Sequence, residues 1–120
     1  MEEQKLFMAM IFQIEAKSEK AKENMKNKIL DKLKNILDLE SITLEYDIQS
    51  NSFAYIEESI EESFEDKVFF LLSTLQNFGY CYVVTGNLEN KKFDICTSKT
   101  NMNGICFVQG DLHYLNLEEE

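Results

Sequence analysis

The chain has 120 residues, the size of one ordinary domain, and 44% of them are hydrophobic, enough for a folded core. Its twelve basic residues are all lysine and face 22 acidic residues, so the net charge is −10. Arginine supplies the planar fork that grips phosphates and base edges, so this composition argues against direct binding of nucleic acid or nucleotides. We expect one domain over residues 1–120.

The cysteines and the N-terminal sequence indicate a cytoplasmic protein. Three cysteines, an odd number, are spaced too widely for a C-x-x-C pair: Cys81, Cys96 and Cys106. The apolar run at residues 6–12 follows two glutamates, whereas a signal peptide begins with basic residues. No stretch approaches the roughly 18 apolar residues of a membrane-spanning helix. We therefore expect a soluble protein in a reducing compartment.

The first half of the chain predicts a strand, a helix and a hairpin. Residues 6–14 are apolar at both parities, which is typical of an interior strand. Within residues 18–40, apolar positions then recur at three- and four-residue steps from Ala21 to Leu37, with Ser18 as the N-cap of a helix. Residues 42–48 alternate between apolar and polar, and residues 53–58 return as the second strand.

A second helix follows in the acidic part of the chain. Ser59 and Glu62 have the spacing of a capping box, and an apolar stripe runs from Ile60 to Leu75. Gly79 fits the end of this helix.

The remaining sequence predicts strands at residues 80–84, 93–97 and 105–117. Gly110 and Asp111 fit a two-residue turn that would split the last run into a hairpin. That hairpin would set Phe107 opposite Tyr114 on one sheet face.

This order of elements predicts an α+β fold with a ferredoxin-like β-α-β-β-α-β core. Two helices would cover one face of an antiparallel sheet, and C-terminal β-hairpins would extend it. No short motif points to a family, so the element order alone lends no function.

Catalytic and metal-binding patterns are weak. Two sites can be considered: a catalytic dyad of Cys106 with His113, and a zinc site of the three cysteines with His113. Either would require these side chains to come together in the fold, and their spacing in the sequence does not indicate that they do. The four glycines are isolated, unlike those of a phosphate-binding loop. We expect no enzyme, no catalytic residue, no cofactor and no metal.

The stretch at residues 57–66 holds six carboxylates in ten positions. We assign Glu58, Ser59 and Glu62 to the start of the helix, where the dipole favours negative charge. The surplus acids are the predicted partner-binding residues, together with two aromatics that are either core or contact residues. This set is Glu57, Glu61, Glu65, Asp66, Phe107 and Tyr114.

These features predict a small acidic protein-binding module. An inhibitor or immunity-type protein, including a nucleic-acid mimic, would block a basic partner, such as a nucleic-acid-binding enzyme, through an acidic surface. The alternative is a homo-oligomeric scaffold or a small-ligand-binding protein without catalysis. A third interpretation of residues 57–66 is a solvated helix face with no partner.

Overall fold

The computed structural model describes residues 4–60, 63–87, 89 and 91–116. Two helices and one six-stranded antiparallel sheet make up this part of the chain, which confirms the α+β class. The strands are β1 (Gln4–Ile14), β2 (Glu45–Asp47), β3 (Ser52–Ser59), β4 (Val83–Asn87), β5 (Lys92–Thr97) and β6 (Ile105–Asn116), and the helices are α1 (Glu19–Leu37) and α2 (Phe64–Leu75). Neither helix combines the length and the apolar character that a bilayer crossing requires in the described residues.

The sheet has the order β2-β3-β1-β6-β5-β4, so β1 is an interior strand, as its two-sided apolar pattern predicted. In a ferredoxin-like plan, the strand that follows α2 lies beside β1. Here β6 holds that place and pairs with β1 along its length, from Gln4↔Asn116 to Ile14↔Ile105. The β4–β5 hairpin therefore lies between α2 and the last core strand in sequence and extends the sheet outward, instead of following the core as a C-terminal extension.

Both helices pack on one side of this sheet. Alternate residues of β1 are almost fully buried in a single apolar cluster with both helices. The members from β1 and the helices are Leu6, Met8, Met10, Phe12, Ile14, Met25, Ile29, Leu33, Phe64, Leu71 and Leu75. The intervening β1 residues Phe7 and Ile11 are only half-buried. We call the helix side the covered face and the other side the open face.

Helix α1 begins and ends where its sequence indicates. The Ala21 N–H donates to Ser18 Oγ at 3.1 Å, which confirms Ser18 as the N-cap. The helix ends at Asp38, whose backbone is left-handed at φ 55 and whose N–H donates to the Lys34 carbonyl.

The predicted start of α2 at Ser59 is wrong. Ser59 is the last residue of β3 and pairs with Leu6 of β1, so the backbone is still extended there. The N-cap is Ser63, whose Oγ accepts from the Asp66 N–H at 3.3 Å. Glu62, the other half of the expected capping box, lies outside the described residues. The strand pairing of β3 continues past the point where the serine spacing suggested a helix.

The predicted hairpin at Gly110 is also wrong, because β6 runs without a break and Gly110 pairs with Met10. A Cβ at Gly110 would lie 2.7 Å from Leu75 Cδ1, so glycine here allows α2 to approach the sheet closely. As a result, Phe107 lies on the open face. Tyr114 lies on the covered face, with its ring 6.0 Å from that of Phe64.

Two other strands differ from the prediction: β2 is shorter, and β4 is shifted by three residues toward the C-terminus. Of residues 42–48, only Glu45–Asp47 pair with β3, and Ile48 is exposed. Strand β4 begins at Val83, after Tyr82 donates its hydroxyl to the Leu75 carbonyl at 2.5 Å. The side chain of Tyr82 thus binds the end of α2, and the pairing of β4 with β5 begins only at the next residue.

Removal of a core side chain from either helix should destabilise the protein. Leu33 and Leu71 are fully buried, so we expect Leu33→Ala and Leu71→Ala each to lower the free energy of unfolding by about 2–5 kcal/mol. Leu39→Ala, at a 44% exposed position, should change it by no more than about 0.5 kcal/mol. Denaturant titration measures all three, and a Leu71 variant as stable as the Leu39 control would contradict the packing of α2 on the sheet.

Candidate functional site: the open face of the sheet

The open face presents more acidic than basic side chains. Strand register places on it five carboxylates among the described residues, from Glu45, Asp47, Glu58, Asp94 and Asp111. The two lysines on this face are Lys5, which pairs with Glu58 at 3.4 Å, and Lys92. This face is therefore negative, and it is the side of the sheet without helices.

A hollow of about 280 Å³ lies at one end of the open face, which we call the open-face hollow. Its lining comes from four strands and the β2–β3 turn: Ile11, Gln13, Asp47, Ser50, Ser52, Ala54, Phe107 and Gln109. Ile11, Ala54 and Phe107 are its apolar residues, and a carboxylate, two hydroxyls and two amides are its polar groups. This mixture suits a ligand with an apolar stem and a polar head.

The β2–β3 turn fixes the carboxylate of the hollow. The backbone N–H and the hydroxyl of Ser50 both donate to Asp47 Oδ2, at 3.1 and 2.5 Å. The hydroxyl bond and then the backbone bond hold the pKa of Asp47 below its ordinary value. Asp47 therefore stays ionised at neutral pH.

Asn51 ties this turn to the rest of the sheet. Its backbone is left-handed at φ 53, and its side-chain Nδ2 donates to the carbonyls of Ile14 and Ala16, both at 2.9 Å. The Tyr46 hydroxyl donates to Asn51 Oδ1 at 2.6 Å. The carboxylate is thus held in place before any ligand arrives, which lowers the entropy cost of binding.

A pair of carboxyl groups lies farther along the same face. Asp94 of β5 is directly opposite Asp111 of β6. The hydrogen bond with Asp111, then burial and the Asp111 charge, raise the pKa of Asp94 to about 6. His113 Nδ1 is 3.6 Å from Asp111 Oδ1, and its ring is 5.0 Å from that of Phe7. The pair can hold a proton close to neutral pH.

The predicted hairpin at Gly110 would have placed Cys106 on the same face as His113, one strand-pair away. The structure does not bring the two residues together. Cys106 lies at a register shift near the start of β6, where its Sγ is 3.5 Å from the Gln13 carbonyl. His113 lies near the other end of that strand. In the described part of the chain, no group of three or more His, Cys, Asp or Glu side chains is arranged to hold a metal ion.

The acids at residues 57–66 point in several directions. Glu57 faces the covered side, where it pairs with Lys67 and accepts from the Tyr55 hydroxyl at 2.8 Å. Burial, and then this bond, raise the pKa of Tyr55 to about 12. Glu58, the next residue, faces the open side. Because side chains alternate between the two faces along β3, the first two acids of the stretch, Glu57 and Glu58, lie on opposite sides of the sheet.

Two further acids of the stretch, Glu65 and Asp66, belong to the start of α2. Glu65 pairs with Lys91 at 2.9 Å, and its pKa is lowered, first of all by the bond from Lys91. Asp66 is exposed in the first turn of the helix. Glu61 lies outside the described residues. The predicted set is thus divided between two faces and a helix start, and Phe107 is its one described member in the open-face hollow.

The sequence prediction missed Asp47, Ile11 and Gln109 as parts of a site. The alternation of residues 42–48 did place Asp47 on the outward side, but nothing local indicated that this side is shared with the half-buried residues of β1. The hollow could have been predicted only from the register of β3, β1 and β6. That register depends on pairing between distant parts of the chain.

Glu57 and Glu65 should differ in their effect on stability. Lys67 has a 6% exposed side chain and pairs with Glu57, so Glu57→Gln weakens a largely buried ion pair, and we expect a loss of about 1–3 kcal/mol in denaturant titration. Glu65→Gln breaks an exposed pair and should have little effect. Equal effects of the two substitutions would show that Glu57 is not a structural residue.

The Asp94–Asp111 pair should make stability depend on pH. Between the ordinary pKa of 3.8 and about 6, the folded state retains a proton that the unfolded state has released, so stability falls as pH rises through this window. Asp94→Asn removes the like-charge penalty and should raise the melting temperature at pH 7.5 by a few degrees. The gain should vanish near pH 4.

The matched control is Asp31→Asn, which removes one charge from an exposed position of α1. If both variants shift the melting temperature equally at pH 7.5, the effect reflects net charge and the pair carries no penalty.

Comparison with known proteins gives a match to one family. The model of the family described as "Putative transposase, YhgA-like" matches residues 5–92, about three quarters of the chain. This range runs from β1 to the first residue of β5 and includes both helices. Neither the curated proteins nor the solved structures include a match.

Proposed function

The chain belongs to the YhgA-like transposase family, and we propose that it is a non-catalytic protein-binding module whose open face holds a basic partner. The observation that carries this proposal is the open-face hollow, where a fixed carboxylate stands beside apolar residues. A lysine or arginine side chain has the matching form, with an apolar stem and a cationic head. The stem would lie against Ile11 and Phe107, and the head would reach Asp47.

The charge of the chain supports a basic partner. A net charge of −10 speeds the approach of a positive surface, and the five carboxylates of the open face direct it to this side. The same charges repel phosphates, so DNA itself is a poor ligand for this face. The structure thus favours a protein as the ligand.

The family name connects this module with transposition, which is a reaction on DNA. Proteins that act on DNA carry positive surfaces, because those surfaces neutralise phosphates. We therefore propose a DNA-binding protein as the partner, with the module blocking or occupying its basic surface as an inhibitor or immunity-type protein does. The cytoplasm is the proposed compartment, since none of the three cysteines is in a disulfide.

A lysine-rich peptide of about ten residues is the probe that tests this proposal. Its affinity would be measured by calorimetry at low salt for the native chain and for three variants. We expect Asp47→Asn to weaken binding about five- to tenfold and Phe107→Ala to weaken it comparably, because both remove contacts at the hollow.

The control is Asp31→Asn, which makes the same change in net charge on a helix of the covered face. It should leave the affinity nearly unchanged. If it weakens binding as much as Asp47→Asn, the peptide senses overall charge and the hollow is not the site.

Two further measurements separate this proposal from its competitors. The double variant Glu61→Gln, Glu65→Gln should bind the peptide normally, and a loss confined to that variant would move the site to residues 57–66.

Duplex DNA should not bind to the native chain. Tight DNA binding that Lys20→Gln, Lys28→Gln abolishes would instead assign the function to the basic surface of α1, where both lysines are exposed.

A further inference from the structure

The two edges of the sheet differ in how they are protected. Strand β2 forms one edge and has three residues, two of which are the carboxylates Glu45 and Asp47. Short length and charge are the devices by which edge strands avoid pairing with other chains. Strand β4 forms the other edge, has five residues, and is paired only with β5 within the described chain. No residue of β4 is ionisable.

Strand β4 begins with one valine on each side of the sheet. Val84 is opposite Ile95 and lies on the covered face, while Val83 is opposite Cys96 and lies on the open face. The exposed fractions of these valines are 57% and 59%. A strand edge with exposed valines on both sides can bury apolar surface and complete backbone hydrogen bonds in one step.

Helix α2 carries an exposed aromatic side chain, Phe69, on a row whose ends reach the segments that flank β4. One row of side chains runs along the helix at steps of four, three and four residues, and it consists of Glu65, Phe69, Leu72 and Gln76. Glu65 reaches Lys91, just past the end of β4. At the other end, Leu72 and Gln76 line a hollow with residues 79–82, just before β4 begins.

Phe69 therefore lies in the middle of a row whose two ends reach the segments before and after β4. Its side chain is 73% exposed, and Tyr80, three residues before the strand, is 53% exposed. We call Phe69, Tyr80, Val83 and Val84 the edge strip. An aromatic and aliphatic strip next to an unpaired strand is typical of the centre of a protein interface.

Charge indicates what covers this strip. The nearest ion pair, Glu65 with Lys91, is internally neutralised at 2.9 Å, and β4 carries no charge of its own. In a chain of net charge −10, β4 itself brings no like charge to the β4 strand of a second copy. A basic or acidic partner would find no counter-charge on β4, whereas a second copy brings the same uncharged strand with its two exposed valines.

We propose that two copies of this chain form a two-fold symmetric dimer through antiparallel pairing of their β4 strands. Each edge strip would pack against the strip of the other copy, and the two sheets would join into one of twelve strands. The charged, short β2 edges would stay at the outside and prevent further growth. The dimer is independent of the proposed function, because the open-face hollow and β4 are at different places on the sheet.

Sedimentation equilibrium of the full chain tests this proposal. We expect a dimer at about 100 µM protein, and Val84→Lys should raise the dissociation constant by roughly tenfold or more, because it places a charge in the paired edge. The matched control is Ile48→Lys, at a 78% exposed site next to the β2 edge, which should remain dimeric. Circular dichroism verifies that both variants are folded.

Hydrogen exchange identifies the interface at the same time. The amides of β4 should exchange more slowly at high than at low protein concentration, and Asp47→Asn should not alter this difference. A native chain that stays monomeric at about 100 µM would overturn the proposal. So would a dimer whose concentration-dependent protection lies outside β4, or one that Ile48→Lys weakens as much as Val84→Lys does.

Discussion

The central strand β1 separates two environments, and the rest of the structure depends on that separation. One set of alternate residues is sealed beneath α1 and α2, while the other set, apart from the buried Ala9, is half-buried on a face that no described helix covers. Two helices supply enough apolar surface for one side of a six-stranded sheet and no more. The uncovered side must therefore meet water or a partner, and its residues combine half-buried apolar groups with carboxylates.

The carboxylates of this acidic chain have different structural and electrostatic roles. Glu57 forms an internal ion pair with Lys67 that ties β3 to α2. Asp47 is fixed by a serine and keeps its charge, whereas the pKa of Asp94 is raised because it faces another carboxyl group. Position in the fold, rather than local density of acids in the sequence, decides which charges are available to a partner. The described acids of the stretch at residues 57–66 accordingly do not form one surface: Glu57 and Glu58 lie on opposite faces of the sheet, and Glu65 pairs with Lys91.

Local patterns were sufficient where the structure is local. The Ser18 cap, the extent of α1 and the interior position of β1 follow from spacing that neighbouring residues enforce. The errors arose where tertiary pairing overrides a local signal: β3 stays extended through Ser59, and Gly110 lies under α2 instead of in a turn. The open-face hollow combines residues from both ends of the chain, so no local pattern reveals it. The family relationship is likewise spread over residues 5–92 and is not marked by a short motif.

The central claim is that the open face is the binding surface, and backbone amide chemical shifts test it most directly. The ¹⁵N-labelled chain would be titrated with the lysine-rich peptide, and the shifted amides would be mapped on the sheet. The account predicts that the largest shifts occur together in the β2–β3 turn, in β1 around Ile11 and in β6 around Phe107, three segments that only the fold brings together. Shifts confined to the start of α2 or to α1, with these three segments unchanged, would contradict it.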